Sequence, residues 1–181
     1  MRLSFPESVL NASAQRLVGA HGDMAIALRR AVDDERDGLL ELYASTREAE
    51  MAMVPWTDAE KAAFLAHQFS LQHHHFVTHY PSANFDVVLA NEARVGRFYV
   101  DRATAWTIID IALLPAWQDR GIGRLLIEDT LRQANKAGAA VELHVASHNV
   151  RARALYEQLG FVVTSASEMH YAMRHPHRGA R

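Results

Sequence analysis

The sequence predicts an α/β layered fold in a single domain, and three observations carry that expectation. Trp106–Leu114 (WTIIDIALL) is apolar on both faces, the mark of a strand covered on both sides. A glycine-bearing turn follows it and opens a helical period over Gly121–Ala137. Short alternating segments lie before and after this unit, bounded by turn residues. At 181 residues, one domain is the expected count.

The elements follow in order. Residues 1–23 show no clean period and carry Pro6, Gly19 and Gly22, so a frayed, mobile extension is favoured over an arm packing on the domain or on a second subunit. The domain is expected over residues 24–174, with a frayed tail at 175–181 and a chain starting at Met24 that folds as the full chain does. Met24–Val32 reads as the first strand. Asp33 and Asp34 suit a helix start, and Leu39, Leu42, Tyr43 and Thr46 recur at helical spacing. Met51–Trp56 is a loop broken by Pro55, and Thr57–Glu60 is a capping box opening a second helix. Phe85–Ala90 and Val95–Asp101 flank a hairpin turn. After Trp106–Leu114 come the helix 121–137, closed by Gly138, and a strand at Val141–Val145. A helix over Asn149–Leu159 is closed by Gly160, and Phe161–Thr164 with Met169–Arg174 make a final hairpin.

Composition excludes several classes. The chain is 49% hydrophobic and 22% charged, which is too apolar for a disordered chain. Its net charge of -2 and pI of about 6.6 argue against a nucleic-acid-coating surface. It has no cysteine, so disulfides, thiolate metal sites and a cysteine nucleophile are impossible. No stretch has the roughly 18 apolar residues of a membrane span, and the N-terminal residues make a poor signal peptide. A cytoplasmic protein is expected.

Gln118-Asp119-Arg120-Gly121-Ile122-Gly123 sits between a buried strand and a helix. The first turn of a helix leaves its N–H groups free, at the positive end of the helix dipole. Such a turn can cradle a phosphate or pyrophosphate, or its glycines can serve only close strand–helix packing. A Rossmann fingerprint needs a third glycine near the first strand, and a Walker turn needs Lys-Ser/Thr where Arg124-Leu125 stand.

Asn149-Val150-Arg151-Ala152-Arg153-Ala154-Leu155-Tyr156 follows, then Gly160-Phe161. Gln-x-x-Gly-x-Gly after a Leu-Leu-Pro strand end, then Asn-x-x-Ala-x-x-x-Tyr-x-x-x-Gly-Phe, resembles the GNAT superfamily of acyl-CoA N-acyltransferases. The resemblance covers about Met24 to Arg174. It implies a central, mostly antiparallel sheet with helices on both faces, in which strands 106–114 and 141–145 lie parallel and splay apart. It also implies acetyl-CoA as co-substrate. Its pyrophosphate would lie on the amides of Gln118, Asp119, Arg120, Gly121, Ile122, Gly123 and Arg124, and its pantetheine arm on Ile111, Ala112 and Leu113. Asn149 corresponds to a residue contacting that arm, and Tyr156 to one that protonates the departing thiolate. Spacing alone equally suits packing for Tyr156, since Ala152, Leu155, Tyr156 and Leu159 form a helical stripe.

A protonated amine must lose its proton as it attacks a thioester. The resemblance implies a carboxylate base near this strand, sometimes acting through water; Asp110, the only ionisable residue in WTIIDIALL, is that expected base, or a structural carboxylate bonded to a neighbouring Arg, His or amide. His144, Tyr99 and Asp101 are reserves. His67, His73, His74, His75 and His79 crowd one helix end; the resemblance implies that this region walls the acceptor pocket, and lining or flanking that pocket is favoured over a metal site, so no metal is expected. Met51, Met53 and Trp56 would form the pocket's apolar side. The expected partner is a small-molecule or peptide amine, with no nucleic acid and no membrane; a homodimer is open. The alternative to a transferase is an acyl-CoA-binding regulatory module of the same fold.

Overall fold

A computed structural model describes residues 4–6 and 15–177. Among the described residues, eight strands form one sheet: β1 (Gln15–His21), β2 (Met24–Arg30), β3 (Asn84–Ala90), β4 (Ala93–Arg102), β5 (Trp106–Leu113), β6 (Val141–Ala146), β7 (Val162–Ala166) and β8 (His170–His175). Five α-helices of the described residues flank it: α1 (Arg36–Ser45), α2 (Glu48–Ala52), α3 (Asp58–His79), α4 (Ile122–Lys136) and α5 (Val150–Gln158). The strand order is β1-β2-β3-β4-β5-β6-β8-β7, antiparallel at every step except β5–β6. Mixed sheet, flanking helices and the parallel pair are those expected.

Local chemistry fixes the corners. The two-residue turn joining β3 and β4 places Asn91 at φ 46° and Glu92 at φ 72°, both left-handed, as a tight hairpin requires. Asn91 Oδ1 also accepts the Ala25 amide at 2.9 Å. The capping box of α3 forms: Thr57 Oγ1 accepts the Glu60 amide at 3.3 Å and the Glu60 carboxylate accepts the Thr57 amide at 2.8 Å.

Two cores lie on opposite faces of the sheet. α4 and α5 cover one with Ile122, Leu126, Ile127 and Tyr156 against Ile26, Val88, Phe98 and Leu143. α1 and α3 cover the other with Leu39, Leu42, Tyr43, Leu65 and Phe69 against Val87 and Leu89.

Three expectations need correction. The fold does not begin at Met24. β1 pairs with β2 along its length, and a bulge between Leu17 and Gly19 leaves Val18 buried in the α4 core. Arg16 Nη1 meets Asp129 Oδ2 of α4 at 2.6 Å, and Phe5 packs on Phe85. The bulge breaks the alternation by which a strand is read, so β1 left no pattern. Residues 48–52 are helical rather than all loop. Finally, β8 extends through His175, one residue past the expected domain end; residues 178–181 of the expected tail lie outside the described residues.

Candidate active site

β5 and β6 are bonded only where residues 106–108 face 141–143. Beyond Ile108 they separate. The strand expected to be covered on both sides is therefore only half-buried from Ile109 to Leu113, because one of its edges opens into a cleft. The cleft has a volume of about 950 Å³, within the range of small-ligand sites.

The glycine turn closes one end. Gln118 is extended, Asp119 is left-handed at φ 61° and Gly121 is left-handed at φ 71°. Left-handed backbone is costly for Asp119 and free for glycine, so the turn holds an unusual shape over four residues. The first helical hydrogen bond runs from the Leu125 amide to Gly121 O at 3.0 Å. The amides of Ile122, Gly123 and Arg124 therefore point out of the helix end toward the cleft. At Gly123 a Cβ would meet only Ile111 Cδ1, at 3.7 Å. The fold does not demand glycine there; its hydrogen leaves open space in the cleft.

Every expected cofactor residue except Arg120 lines this cleft. Arg120 instead lies over the Trp117 ring, 5.0 Å from its centroid. Gln118 braces the strand end by donating to Leu113 O at 3.0 Å. Asn149 caps α5, its Oδ1 accepting the Ala152 amide at 3.1 Å. Arg151 pairs with Asp119 and ties α5 to the turn. Ser45, Thr46 and Glu48 form the wall contributed by the α1–α2 corner.

Tyr156 is buried yet lines the cleft. Burial pushes its hydroxyl up to about 12, and the negative charge of Asp110 adds to the shift. It therefore stays protonated through physiological pH.

Asp110 points the other way. Residue 110 pairs with Tyr99 and residue 108 with Val100, so Ile109 is an extra residue in β5. This bulge turns Ile109 and Asp110 to the same side, toward α3, while Ile111 returns to the α4 side. Arg97 Nε donates to Asp110 Oδ2 at 2.6 Å, with side-chain exposures of 3% and 20%. Arg97 Nη2 donates to Gln72 Oε1 at 2.7 Å. Its guanidinium also lies 5.4 Å from the Tyr99 ring centroid and 6.0 Å from those of Tyr43 and Phe69. Burial works most strongly to lower the pKa of Arg97, but the Asp110 charge and hydrogen bond together with Tyr99 and Tyr43 outweigh it and raise it.

The reserves fare differently. Burial pushes Tyr99 well above the ordinary tyrosine range, so it packs rather than titrates. His144 is exposed, and Asp101 faces Thr107, below the point where the strands part. Among the described residues, none of the histidines expected to line the acceptor pocket lines the cleft. His67, His74, His75 and His79 are exposed on α3, His79 Nδ1 lying 2.9 Å from His75 O. His73 is buried against Phe5. Met53 is 87% exposed and Trp56 packs edge-on to Phe64. Met51 lines a cavity between α1, α2 and α3, and His73 one beside Phe5 and Asp33. Histidines at helical spacing say which face they share, not which way that face is turned.

Sequence reasoning missed Arg97 and Arg151. A charge in the middle of the strand Val95-Gly96-Arg97-Phe98-Tyr99 was the available signal.

Known proteins resemble this architecture. The curated [ribosomal protein bS18]-alanine N-acetyltransferase of Escherichia coli K12 is 30% identical over 99 residues, 53% of this chain and 67% of that enzyme. The Salmonella typhimurium enzyme of the same name is 35% identical over 75 residues, 41% of this chain and 51% of that one. Among solved structures, the paiA N-acetyltransferase of Thermoplasma acidophilum, in complex with coenzyme A, superposes with a TM-score of 0.63. It is 16% identical, covering 83% of this chain and 98% of that one. The Escherichia coli ribosomal-protein-S18-alanine N-acetyltransferase gives a TM-score of 0.59 at 19% identity, covering 86% and 96%. The acetyltransferase (GNAT) family model matches residues 37–161, which take in α1, the parted strands, the glycine turn and α5. That match spans more than half of the sequence, and the chain belongs to the acetyltransferase (GNAT) family.

Proposed function

We propose that this protein is an acetyl-CoA-dependent N-acetyltransferase that moves an acetyl group directly to a primary amine of a small molecule or peptide. One observation carries the reading most: free helix-end amides open onto a gap between two strands that part in register. The amides of Ile122, Gly123 and Arg124 suit the pyrophosphate. The unpaired edge of β5 at Ile111, Ala112 and Leu113 suits the amide-bearing arm. Acetyl-CoA supplies the activated thioester.

The chain's residues then act on protons. The amine nitrogen bonds to the acyl carbon, the carbon–sulfur bond breaks, and the amine loses a proton. Asp110 is the acceptor we assign; its side chain turns toward α3 and does not line the cleft, so the proton reaches it through a bridging water rather than by direct contact, with its Oδ2 held by Arg97 and its Oδ1 without a hydrogen bond among the described residues. Tyr156 donates from its hydroxyl to the departing thiolate. A phenol near 12 is a weak acid, so its contribution is chiefly a hydrogen bond that strengthens as negative charge gathers on sulfur. With no cysteine, the chain has no thiol route through an acyl-enzyme.

The test is a panel of amines and peptides with free N-termini, scored by release of CoA thiol. The protein contributes no thiol background. Amine-dependent release supports the reading. Tight acetyl-CoA binding with no release against any amine would make the protein a binding module instead.

A further inference from the structure

A second cavity of about 670 Å³ adjoins the cleft and shares Ser45, Glu48 and Ala52 with it. It is a groove between α1 and α3, closed at one end by α2. Each long helix offers it one stripe at helical spacing. On α1 the stripe is Asp37, Leu40, Glu41 and Ala44; on α3 it is Asp58, Lys61, Ala62 and Leu65. Met51 of α2 completes an apolar floor.

The rim is acidic and unsatisfied. Asp37, Glu41, Glu48 and Asp58 face a single ammonium, that of Lys61. No side-chain hydrogen bond or ion pair reaches any of those four carboxylates among the described residues. Elsewhere the more buried carboxylates are paired: Glu35 with Arg29, Asp86 with Arg30, Asp110 with Arg97, Asp129 with Arg16. Four unpaired negative charges around one apolar groove form a surface complementary to a positive, partly apolar partner.

We infer that this groove docks a cationic, amphipathic segment of a peptide acceptor, with arginine or lysine against the rim and an apolar side chain on the floor. The inference rests on the transferase reading and narrows its acceptor to a basic peptide. The stripe from Asp37 to Ala44 rises about 10 Å, the length of about three extended residues. A peptide seated there passes Glu48 and Ala52 into the cleft, where its amine meets the gap. The interaction is electrostatic at its rim and weakens with salt, since the screening length is about 10 Å at 0.1 M.

The experiment uses the full chain and a fluorescein-labelled peptide of alternating arginine and leucine. The peptide is blocked at its N-terminus so that it cannot react. Fluorescence anisotropy reads its affinity at low and high salt. An acidic peptide of the same length, with glutamate for arginine, is the control. We expect salt-sensitive binding of the basic peptide alone. It should weaken at least tenfold in the triple variant Asp37→Asn, Glu41→Gln, Asp58→Asn, all exposed positions outside the acetyl-CoA cleft. Absence of binding to the wild-type chain overturns the inference, as does equal binding of both peptides or an unchanged affinity in the variant. A wild-type dimer by light scattering that dissociates in the variant assigns the groove to a second copy and overturns it too. Calorimetry of acetyl-CoA on the same samples separates the two readings. If the wild-type chain does not bind acetyl-CoA, the transferase reading fails. If both proteins bind it equally and the peptide is indifferent to the variant, the groove alone fails.

Discussion

Replacing Arg97 with methionine removes the cation that faces Asp110 while keeping the length and apolar character of the stem. The pair is short, 2.6 Å, and its arginine is 3% exposed. Deleting one partner of a buried pair costs about 3–5 kcal/mol, because the other charge is left without compensation. Asp110 keeps a fifth of its side-chain surface in solvent, so hydration returns part of this. We expect a loss of about 2–4 kcal/mol. For a chain of this size that lowers Tm by about 5–15 °C. The double variant Arg97→Met, Asp110→Leu removes both charges and should recover most of the loss. The assay is thermal or urea unfolding of the wild type, two single variants and the double variant, read as a coupling energy. Single losses that simply add in the double variant would refute the claim that this pair, rather than bulk packing, sets the cost. Activity is read on a further variant, Asp110→Asn. It should lower kcat/KM if Asp110 accepts the amine proton.

Two further outcomes follow from burial. Tyr156 is raised from 10.0 to about 12 in the fold, so its neutral form stabilises the protein below pH 10 and that contribution is lost as pH rises toward 12. At about 1.4 kcal/mol per unit, the loss is about 3 kcal/mol at most. Tyr156→Phe should therefore flatten alkaline unfolding between pH 10 and 12 and lower kcat about 100-fold at neutral pH with acetyl-CoA affinity unchanged. Wild-type kcat in that variant would return Tyr156 to a packing role. A chain starting at Met24 loses β1, with its pairing to β2, the buried Val18 and the Arg16–Asp129 contact. Its melting temperature, followed by circular dichroism, should fall by many degrees; an unchanged value would show β1 to be dispensable.

The parts of this fold that were legible in the sequence are those fixed by local chemistry. The capping box at Thr57, the left-handed glycines at 121, 138 and 160, and the apolar run into the glycine turn each act within a few residues. A motif of fixed spacing from Asn149 to Phe161 placed the cleft's far wall. What stayed hidden depends on register. β1 carries a bulge at Val18, and β5 one at Ile109, and each shifts side chains to the opposite face from the one simple alternation gives. The Arg97–Asp110 pair exists only because of the second bulge. The acidic groove joins stripes from helices whose mutual packing no single stripe reveals.

Acetyl-CoA calorimetry on the wild-type protein and on Gly123→Trp tests the central claim, that the turn opening α4 cradles this co-substrate. The first side-chain atom fits, since a Cβ there meets only Ile111 at 3.7 Å, so the variant should keep its melting temperature. The indole beyond it would occupy the cleft. The account predicts clear wild-type binding and an affinity at least tenfold lower in Gly123→Trp, about 1.4 kcal/mol. Equal affinity in a folded variant would contradict it.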